Sequence, residues 1–342
     1  MKAVIMAGGE GTRLKSITGD TPKPLVSLCG FPLMEHIIRL LAENGFTDIS
    51  AAVKYRAEDI KDRFGDGRAL GVSLSYRTER EARGTAGAVK NCADFYGDED
   101  FLVISGDAAC DFDLRLLMEE HKKRKAAVTL ALYHHSEPLR FGLTVTDGDG
   151  LVRSFIEKPD WSRVVTDLVN TGIYVISPRV MELVPDDRPF DFAKDLFPLL
   201  LERDEKLLGI PMDGYWCDVG TPLSYYRCCA DALEGKLNIR IPEPFRINVP
   251  ADEADTPDSG ETAELVCADR AWLMGAMSEA LMELGADYSD GLRLVTPRFE
   301  MHVRPVSGRS ALRISVNAAD AEFARSLCLS AKELAEALEK NG

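Results

Sequence analysis

Residues 2–13 read KAVIMAGGEGTR, so that a short apolar run passes directly into a glycine-rich loop. The run Lys2–Met6 predicts a buried first strand, because a continuous apolar stretch bounded by turn residues is typical of a parallel sheet. Glycines in the loop Ala7–Arg13 let backbone N–H groups approach phosphate oxygens closely and form an anion-binding concavity. These residues therefore predict a phosphate-binding loop after the first strand, with a plain tight turn as the alternative.

Two cations accompany this loop. Arg13 offers a planar guanidinium that matches phosphate, and Lys23 offers a point charge on a backbone stiffened by the prolines on either side of it. The spacing is not that of a GxxxxGK[ST] P-loop, and the sequence contains no GxGxxG. The pattern therefore argues against both a P-loop NTPase and a Rossmann dehydrogenase.

Strand-like and helical patterns alternate through the first two thirds of the chain, which is typical of a parallel α/β sheet. The predicted helix Leu33–Asn44 ends at Gly45, a C-cap signal, and Asp147–Gly150 predicts a hairpin turn. The other predicted strands are Ile49–Val53, Val72–Tyr76, Phe101–Ser105, Val128–Tyr133, Gly142–Thr146, Val152–Glu157 and Val169–Ile176. The other predicted helices are Ala57–Phe64, Ala86–Cys92, Phe192–Glu202 and Leu223–Leu233.

A change in composition marks the end of this region. Prolines alternate with acidic residues over 236–261, which predicts an extended, solvated linker between a domain over 1–235 and a small α+β domain over 262–342. The expected elements of the second domain are a helix near Thr262–Leu284, strands near Leu292–Thr296, Glu300–Arg304 and Leu312–Val316, and a closing helix Ala319–Glu339.

The composition narrows the class of protein. The 342 residues carry 41 Lys+Arg against 56 Asp+Glu, a formal net charge of −15, so no excess of cations exists to displace counterions from nucleic acid or from an anionic membrane. With 45% hydrophobic residues the chain can bury a core. No apolar run approaches the ~20 residues of a membrane span, and the first run is too short for a signal peptide. The eight cysteines lack C-x-x-C pairs, which favours buried, reduced thiols over a zinc site at Cys217, Cys228 and Cys229 and predicts a cytoplasmic protein.

The order of motifs resembles that of the sugar-1-phosphate nucleotidyltransferases, the pyrophosphorylases that make nucleotide sugars. The resemblance begins with AGGEGTRLKSITGDTPKPLVSLCGFPLMEHII, residues 7–38, and extends to about Gly235. The stretches GTAGA, PFDFAKDLFP and GYWCDVG are most similar to mannose-1-phosphate guanylyltransferases, including those fused to a phosphohexomutase. This resemblance implies a Rossmann-like, mixed and mostly parallel sheet flanked by helices. The other matching motifs are Ser105–Asp107, Phe141-Gly142, Glu157–Pro159 and Asn170–Tyr174.

Two carboxylates follow strand-like runs, where open α/β sheets place their ligands. They are Asp107 and Asp218, and two carboxylates together with phosphate oxygens and waters suit Mg²⁺. The resemblance implies that both hold this metal as a cofactor, with a role in capping a helix or turn as the alternative.

The resemblance assigns the remaining site residues. It implies that Arg13 and Lys23 act as the catalytic cations, and that Gly84 leaves room for a flat purine. The alternatives are a bare helix N-terminus at Gly84 and a surface charge pair at Glu157 and Lys158. The implied nucleotide-binding residues are Ala7, Gly8, Gly9, Gly11, Thr12, Arg13, Gly84 and Thr85, and the implied sugar-phosphate-binding residues are Gly142, Glu157, Lys158, Asn170 and Thr171.

The implied reaction joins an NTP and a sugar-1-phosphate into an NDP-sugar and pyrophosphate. The sugar phosphate is mostly a dianion near neutral pH, since its second pKa is about 6, so no general base is needed. GTP and mannose-1-phosphate are the expected substrates, and a homo-oligomer is the expected assembly. Glucose-1-phosphate or heptose-1-phosphate with another NTP is the alternative, and the departures at Lys15–Ile17 and Arg80–Arg83 leave the nucleobase open. A catalytically silent nucleotide-sugar-binding paralogue or a scaffold is the alternative from another class.

The C-terminal part resembles the last domain of phosphohexomutases, which carries an R-P-S-G-T-E-P loop. Arg304, Ser307 and Gly308 match that loop, whereas Val306 is inserted and the end of the loop differs. Without the other mutase domains we expect no mutase activity. For this domain we favour a role in packing or in an oligomer contact over a role as a sensor of a sugar phosphate.

Overall fold

A computed structural model gives the arrangement of most of the chain. It describes residues 1–9, 11–14, 19–79, 81–135, 138–156, 165–242, 260–267, 273–277, 292–295, 299–305, 311–318 and 321–341.

The strands and helices alternate through the first domain as predicted. The strands are β1 (Lys2–Ala7), β2 (Ser27–Leu28), β3 (Phe31–Pro32), β4 (Asp48–Val53), β5 (Ser73–Thr78), β6 (Phe101–Ser105), β7 (Ala108–Cys110), β8 (Val128–His134), β9 (Leu143–Thr146), β10 (Val152–Ile156), β11 (Leu168–Ile176), β12 (Leu207–Pro211), β13 (Trp216–Asp218), β14 (Gly260–Val266), β15 (Leu292–Val295), β16 (Phe299–Pro305) and β17 (Ala311–Ala318). The helices are α1 (Leu33–Glu43), α2 (Ala57–Phe64), α3 (Gly84–Lys90), α4 (Ala93–Tyr96), α5 (Leu114–Arg124), α6 (Phe197–Glu202), α7 (Pro222–Leu233) and α8 (Ala321–Asn341).

A nine-stranded mixed sheet forms the centre of the first domain. Its main path runs β10-β9-β11-β6-β1-β4-β5, and β8 pairs with β11 and β12. The strands β5, β4, β1 and β6 are parallel to one another, and β11 runs antiparallel to β6. The predicted α/β class with a mixed sheet flanked by helices is therefore confirmed.

The sheet is buried on both faces at β1, which explains why the sequence of this strand is apolar throughout. Ala3 and Ile5 point into the core on one side of the sheet, and Val4 points into the core on the other side. Successive side chains of a strand alternate between faces, so only a sheet covered on both sides requires apolar residues at every position. The helices provide that cover.

The position of β1 in the sheet creates a crevice. In the sheet, β1 lies between β4 on one side and β6 on the other. An open sheet leaves room for a ligand at the carboxyl ends of its strands, at the point where the strand order reverses. The loop after β6 lies directly against β1, because the Gly106 N–H donates to the Met6 carbonyl at 2.8 Å. A Cβ atom at Gly106 would lie 2.7 Å from that carbonyl oxygen, so a glycine is needed there.

Two helices of the first domain, α4 and α5, were missed by the sequence analysis. The helix α5 buries Leu114, Leu117, Met118 and His121, a spacing of i, i+3, i+4 and i+7 that does predict an amphipathic helix. It begins at Asp113, whose carboxylate accepts a hydrogen bond from the Arg115 N–H.

One residue at the beginning of the predicted linker is buried. Leu237 is 2% exposed and packs into a core cluster with α7 residues, and the Asn238 N–H donates to Asp111 Oδ2 at 2.9 Å. Leu237 therefore departs from the predicted solvated linker, whereas its neighbours Lys236, Asn238 and Arg240 are exposed. Residues 243–259 lie outside the described residues.

The second domain contains an antiparallel sheet in the order β14-β17-β16-β15 with α8 packed against it. The predicted helix Thr262–Leu284 is wrong over β14, where Ala263 and Leu265 face the core with the period of two that is typical of a strand, and Cys267 continues that period just after the strand ends. Within the predicted range, residues 273–277 are helical. The closing helix and the three later strands are confirmed.

Among the helices that the structure describes, none is both long enough and apolar enough to cross a bilayer.

Candidate active site

A cleft of about 190 Å³ opens at the carboxyl ends of β1 and β6. It brings together seven of the residues predicted from the sequence, which come from the glycine loop and from two distant loops. The lining residues are Met6, Ala7, Gly9, Gly11, Thr12, Arg13, Lys23, Pro24, Gly106, Asp107 and Gly220.

Lys23 lies in the wall of this cleft between two carboxylates. Its Nζ donates to Asp107 Oδ2 at 2.9 Å and lies 3.5 Å from Asp218 Oδ1, while its side chain is only 7% exposed. Pro22 holds an extended backbone and leads into a short 3₁₀ turn over Lys23–Leu25, which fixes the starting point of the side chain. A lysine ammonium buried this deeply requires partners, and the two aspartates supply them.

The glycine loop accommodates the stem of Lys23. Gly11 has a φ of +63°, a conformation that favours glycine, and a Cβ atom there would lie 2.9 Å from the Lys23 Cβ. The loop therefore needs glycine at this position to turn and to let the lysine pass.

Asp107 is held in the ionised state. Burial raises the pKa of its carboxyl, but the charge of Lys23, hydrogen bonds from Ser105 and Lys23 and the charge of Arg13 outweigh that effect and leave the pKa below its ordinary value. The Ser105 hydroxyl donates to Asp107 Oδ1 at 2.5 Å. The carboxylate is therefore fixed in orientation as well as in charge.

A short antiparallel ladder brings Asp218 to Asp107. The strand β13 pairs with β7, and Asp218 lies opposite Ala108, the residue that follows Asp107 in the chain. Gly220 then lets Arg13 approach, since a Cβ atom at this position would lie 2.9 Å from Asp218 Oδ2 and 3.1 Å from Arg13 Nη2. The helix α7 begins directly afterwards with a capping box between Thr221 and Ser224, which fixes this segment.

The donor set of the cleft suits Mg²⁺. Asp107 and Asp218 already bracket one cationic group, the Lys23 ammonium, and both offer hard oxygen ligands. Among the residues described, no group of three or more His, Cys, Asp and Glu side chains could hold a metal ion. Phosphate oxygens and waters would have to complete the ligand shell, which is how Mg²⁺ is commonly bound beside nucleotides.

Gly84 and Thr85 pack against the segment 190–192. Gly84 has a φ of +72°, and a Cβ atom there would lie 2.6 Å from the Phe190 carbonyl oxygen. The Thr85 N–H and hydroxyl both donate to Asp191 Oδ1, at 2.8 and 3.1 Å. The structure thus gives the missing side chain of Gly84 a packing role, and the predicted contact with a purine stays a prediction.

Three of the predicted sugar-phosphate residues are neighbours. The Asn170 N–H donates to the Gly142 carbonyl at 3.0 Å, and the Thr171 hydroxyl donates to the Ala131 carbonyl at 2.7 Å. The Trp216 indole donates to the Thr171 carbonyl at 3.2 Å and thereby ties this group to the strand that ends at Asp218. Glu157 and Lys158 lie outside the described residues.

Comparisons with known proteins place the chain in a family. The sequence profile of the Nucleotidyl transferase family matches residues 2–235. The chain belongs to this family. The cleft residues all fall inside that range, whereas the predicted likeness of residues 262–342 to a phosphohexomutase domain stays a prediction.

Relatives within the nucleotidyl transferase family carry different substrate names. A UTP–glucose-1-phosphate uridylyltransferase from Synechocystis is 33% identical over 256 residues, which cover 71% of this chain and 66% of that protein. A mannose-1-phosphate guanylyltransferase from Mycobacterium tuberculosis is 34% identical over 234 residues, which cover 68% of this chain and 65% of that protein. The chain thus matches slightly less than two thirds of the length of these curated relatives.

A solved structure shares the nucleotidyl transferase fold. HddC from Yersinia pseudotuberculosis, crystallised with GMP-PN, superimposes with a TM-score of 0.59 at 30% identity over 68% of this chain and 99% of that one.

One residue of this nucleotidyl transferase domain was missed by the sequence analysis. Glu79 directly follows β5, is 8% exposed, and places Oε2 3.1 Å from where a Cβ atom of Gly8 would lie. Its Oε1 is buried and has no hydrogen-bond partner among the described residues. Burial raises the pKa of its carboxyl, and the charge of Lys54 and the Arg83 N–H oppose that rise. An acidic residue at the carboxyl end of a parallel strand, beside the glycine loop, was the available signal.

Proposed function

We propose that this protein is a sugar-1-phosphate nucleotidyltransferase, and specifically a mannose-1-phosphate guanylyltransferase that makes GDP-mannose and pyrophosphate. The observation that carries the proposal is the position of Lys23 between Asp107 and Asp218 in a cleft lined by the glycine loop. This arrangement suits a nucleoside triphosphate. The two cations, Arg13 and Lys23, offset the negative charge of the phosphates, and the backbone N–H groups of the glycine loop can donate to the phosphate oxygens. The two carboxylates can hold the metal ion that accompanies the phosphates.

The reaction requires no general base from the protein. A phosphate oxygen of the sugar-1-phosphate forms a bond to the α-phosphorus of the NTP, and the bond between this phosphorus and the bridging oxygen to the β-phosphate breaks. The electron pair leaves with pyrophosphate. Because the nucleophile is already an anion near neutral pH, the obstacle is repulsion between two polyanions.

Arg13 and Lys23 would reduce this repulsion. Both line the cleft. The short 3₁₀ turn after Pro22 sets where the Lys23 side chain begins, Gly11 leaves room for its stem, and Gly220 leaves room for Arg13. Preorganised cations stabilise the charge that develops on the transferred group and on the leaving pyrophosphate.

Asp107 and Asp218 would hold Mg²⁺, which supplies charge neutralisation of the phosphate oxygens when bound. The single Lys23 ammonium lies between these two carboxylates and balances only one of their two charges, which leaves a negative charge for a metal cation. Ser105 keeps Asp107 aimed at the cleft.

Glu79 supports guanine as the nucleobase. A carboxylate only accepts hydrogen bonds, and guanine presents two adjacent donors, N1–H and the 2-amino group. Uracil and thymine present a single N–H between two carbonyl oxygens, which a carboxylate would repel. The unpartnered Oε1 of Glu79 beside Gly8 is therefore better matched by GTP than by UTP or dTTP. For the sugar, support comes from the M. tuberculosis relative named for mannose-1-phosphate.

The test is pyrophosphate release with Mg²⁺ across a grid of NTPs and sugar-1-phosphates. A maximum with GTP and mannose-1-phosphate is the expected result. A maximum with UTP and glucose-1-phosphate, as the name of the Synechocystis relative suggests, would keep the transferase and replace both substrates. No release by folded protein that still binds nucleotide would favour a silent paralogue.

The variant Glu79→Gln tests the nucleobase. Glutamine replaces one acceptor by a donor, so kcat/KM for GTP should fall by roughly 10²-fold while that for UTP changes less. Equal losses for GTP and UTP would contradict a role in choosing the base.

A further inference from the structure

The two aspartates of the cleft are brought together by a very short ladder. The strands β7 and β13 pair over three residues, with Asp218 opposite Ala108 and Trp216 opposite Cys110. Successive side chains of a strand point to opposite faces, so a slip of one residue would turn Asp218 away from the Lys23 ammonium. Two strands paired over so few residues are marginally stable by themselves. The register of β13 therefore needs contacts beyond these three pairs.

Asp111 supplies such contacts at the end of the ladder away from Asp218. It directly follows the last residue of β7, and its Oδ1 accepts a hydrogen bond from the Tyr215 N–H at 2.6 Å. In the opposite direction, the Asp111 N–H donates to the Tyr215 carbonyl at 3.3 Å. The side chain and the backbone of Asp111 thus both hold the residue before β13, which determines which residues of the two strands lie opposite each other.

The carboxylate of Asp111 is fixed from two further directions. Its Oδ2 accepts from the Asn238 N–H at 2.9 Å, in the segment that follows α7. Gly214 has a φ of +110°, and a Cβ atom there would lie 2.5 Å from Asp111 Oδ1. A glycine is therefore needed at position 214 for this carboxylate to reach the Tyr215 N–H. Both carboxylate oxygens are engaged inside the protein, so Asp111 holds β13 from one defined position.

We propose that Asp111 is a positioning residue for the metal site, because by holding Tyr215 it sets the register of β13 and thereby the position of Asp218. Asp111 acts through the backbone of Tyr215 and touches neither the metal ion nor a substrate. This inference rests on the proposed role of Asp218 in holding Mg²⁺, and it adds the residue that places this ligand.

The test compares full-length variants by three measurements. They are the Mg²⁺ concentration for half-maximal pyrophosphate release, the rise in melting temperature on adding Mn²⁺ with α,β-methylene-GTP, and the hydrogen exchange of the Tyr215 N–H. The methylene analogue cannot release pyrophosphate, so the second measurement reports binding without turnover. Asp111→Ala removes both acceptor oxygens, and Asp111→Asn keeps one of them. Asp218→Asn is the reference for the loss of a ligand.

For Asp111→Ala we expect the half-maximal Mg²⁺ concentration to rise roughly tenfold, which is the scale for the loss of a residue that orients a metal ligand. The rise in melting temperature with Mn²⁺ and the analogue should become smaller. The Tyr215 N–H should exchange faster, because its acceptor is gone. Asp111→Asn should lie between the wild type and Asp111→Ala in all three measurements.

Asp113→Ala is the matched control. Asp113 lies two residues further along, is exposed, and also accepts a backbone N–H, that of Arg115 at the start of α5. Its replacement should lower the melting temperature of the free protein, because a helix cap is lost, and should leave the half-maximal Mg²⁺ concentration unchanged.

The possible failures are distinguishable. An unchanged half-maximal Mg²⁺ concentration in Asp111→Ala, with or without faster exchange at Tyr215, would make Asp111 a structural contact only and overturn the inference. If Asp111→Ala does not fold, Asp111→Asn decides, and a Mg²⁺ dependence equal to that of the wild type would contradict the inference. If neither the wild type nor Asp218→Asn responds to Mg²⁺, the metal site of the proposed function fails, and the inference fails with it. A metal-dependent rise in melting temperature that Asp111→Ala reduces, without pyrophosphate release by the wild type, would overturn the transferase but support this inference.

Discussion

The Lys23 ammonium lies 2.9 Å from Asp107 Oδ2, although the two residues are 84 positions apart in the chain. The same ammonium lies 3.5 Å from Asp218, which is 195 positions away. A buried lysine shared by two aspartates is costly unless the charges balance, and here two carboxylates leave one negative charge for a further cation. This balance is consistent with a site that receives both a metal ion and a polyanion.

Loss of the Lys23 charge should mostly lower kcat. The variant Lys23→Met keeps a chain of similar length along Gly11 but removes the ammonium from the cleft, so we expect a fall in kcat of roughly 10²–10³-fold in the pyrophosphate release assay. Lys61→Met, which changes a lysine of α2 paired with Glu58, should leave kcat unchanged. Equal activity of the two variants would remove Lys23 from the mechanism.

Gly220 should be intolerant of a methyl group although its backbone is not strained. In Gly220→Ala the new Cβ would lie 2.9 Å from Asp218 Oδ2 and 3.1 Å from Arg13 Nη2, and it would displace both side chains. A fall of about 10²-fold in kcat/KM is expected, since small displacements of catalytic groups have effects of this size. Gly148→Ala is the matched control, because a Cβ atom there meets nothing within 4 Å. Activity of Gly220→Ala close to that of Gly148→Ala would show that the Arg13 position is not important.

Removal of divalent cations should abolish pyrophosphate release, and added Mg²⁺ should restore it. Asp107→Asn and Asp218→Asn each remove one anionic ligand, so the Mg²⁺ concentration for half-maximal rate should rise by about tenfold or more. Asp149→Asn, in the exposed turn before β10, is the control. Full activity after exhaustive chelation would contradict the assignment of these aspartates to a metal.

The stability of the protein should fall on acidification because of two buried histidines. Burial lowers the pKa of His36 and of His121 below the ordinary value of 6.5, against the partial opposition of Leu28 and Asp100 respectively. Below pH 6.5 the unfolded chain therefore binds protons that the folded protein does not, and the free energy of unfolding decreases as the pH falls toward the folded-state values.

Urea denaturation between pH 7.5 and 5 measures this dependence. The His121 ring lies between the hydroxyls of Thr129 and Ser177, so the side chain of His121→Gln should retain part of this hydrogen bonding. The variant should weaken the pH dependence of the free energy of unfolding, and the part due to His36 should remain. An unchanged slope in His121→Gln would mean that another group is responsible.

The local features of the site were readable in the sequence. A strand followed by the loop Ala7–Arg13, a lysine between two prolines and an aspartate after the strand Phe101–Ser105 were all predicted, and the structure gathers them in one cleft. Such features follow from short-range rules, since turn formation and strand burial depend on residues close together in the chain.

Other features depended on partners far away in the chain. The pairing of β13 with β7 sets Asp218 beside Asp107, and no pattern within either segment specifies that register. The attachment of Thr85 to Asp191 and the position of Glu79 behind Gly8 are of the same kind. The strand β14 was predicted as a helix, because its alternation is short and its pairing partner β17 lies some fifty residues later.

The difference has a physical reason. A glycine loop, a proline-flanked lysine or a strand of apolar residues carries its conformational preference in its own few residues. A metal site, a shared ion pair or a base-reading carboxylate is defined by distances of about 3 Å between atoms that the chain brings together only when the sheet has formed. The residue types of this site could therefore be predicted from the sequence, whereas the distances between them are set by the order and register of the strands.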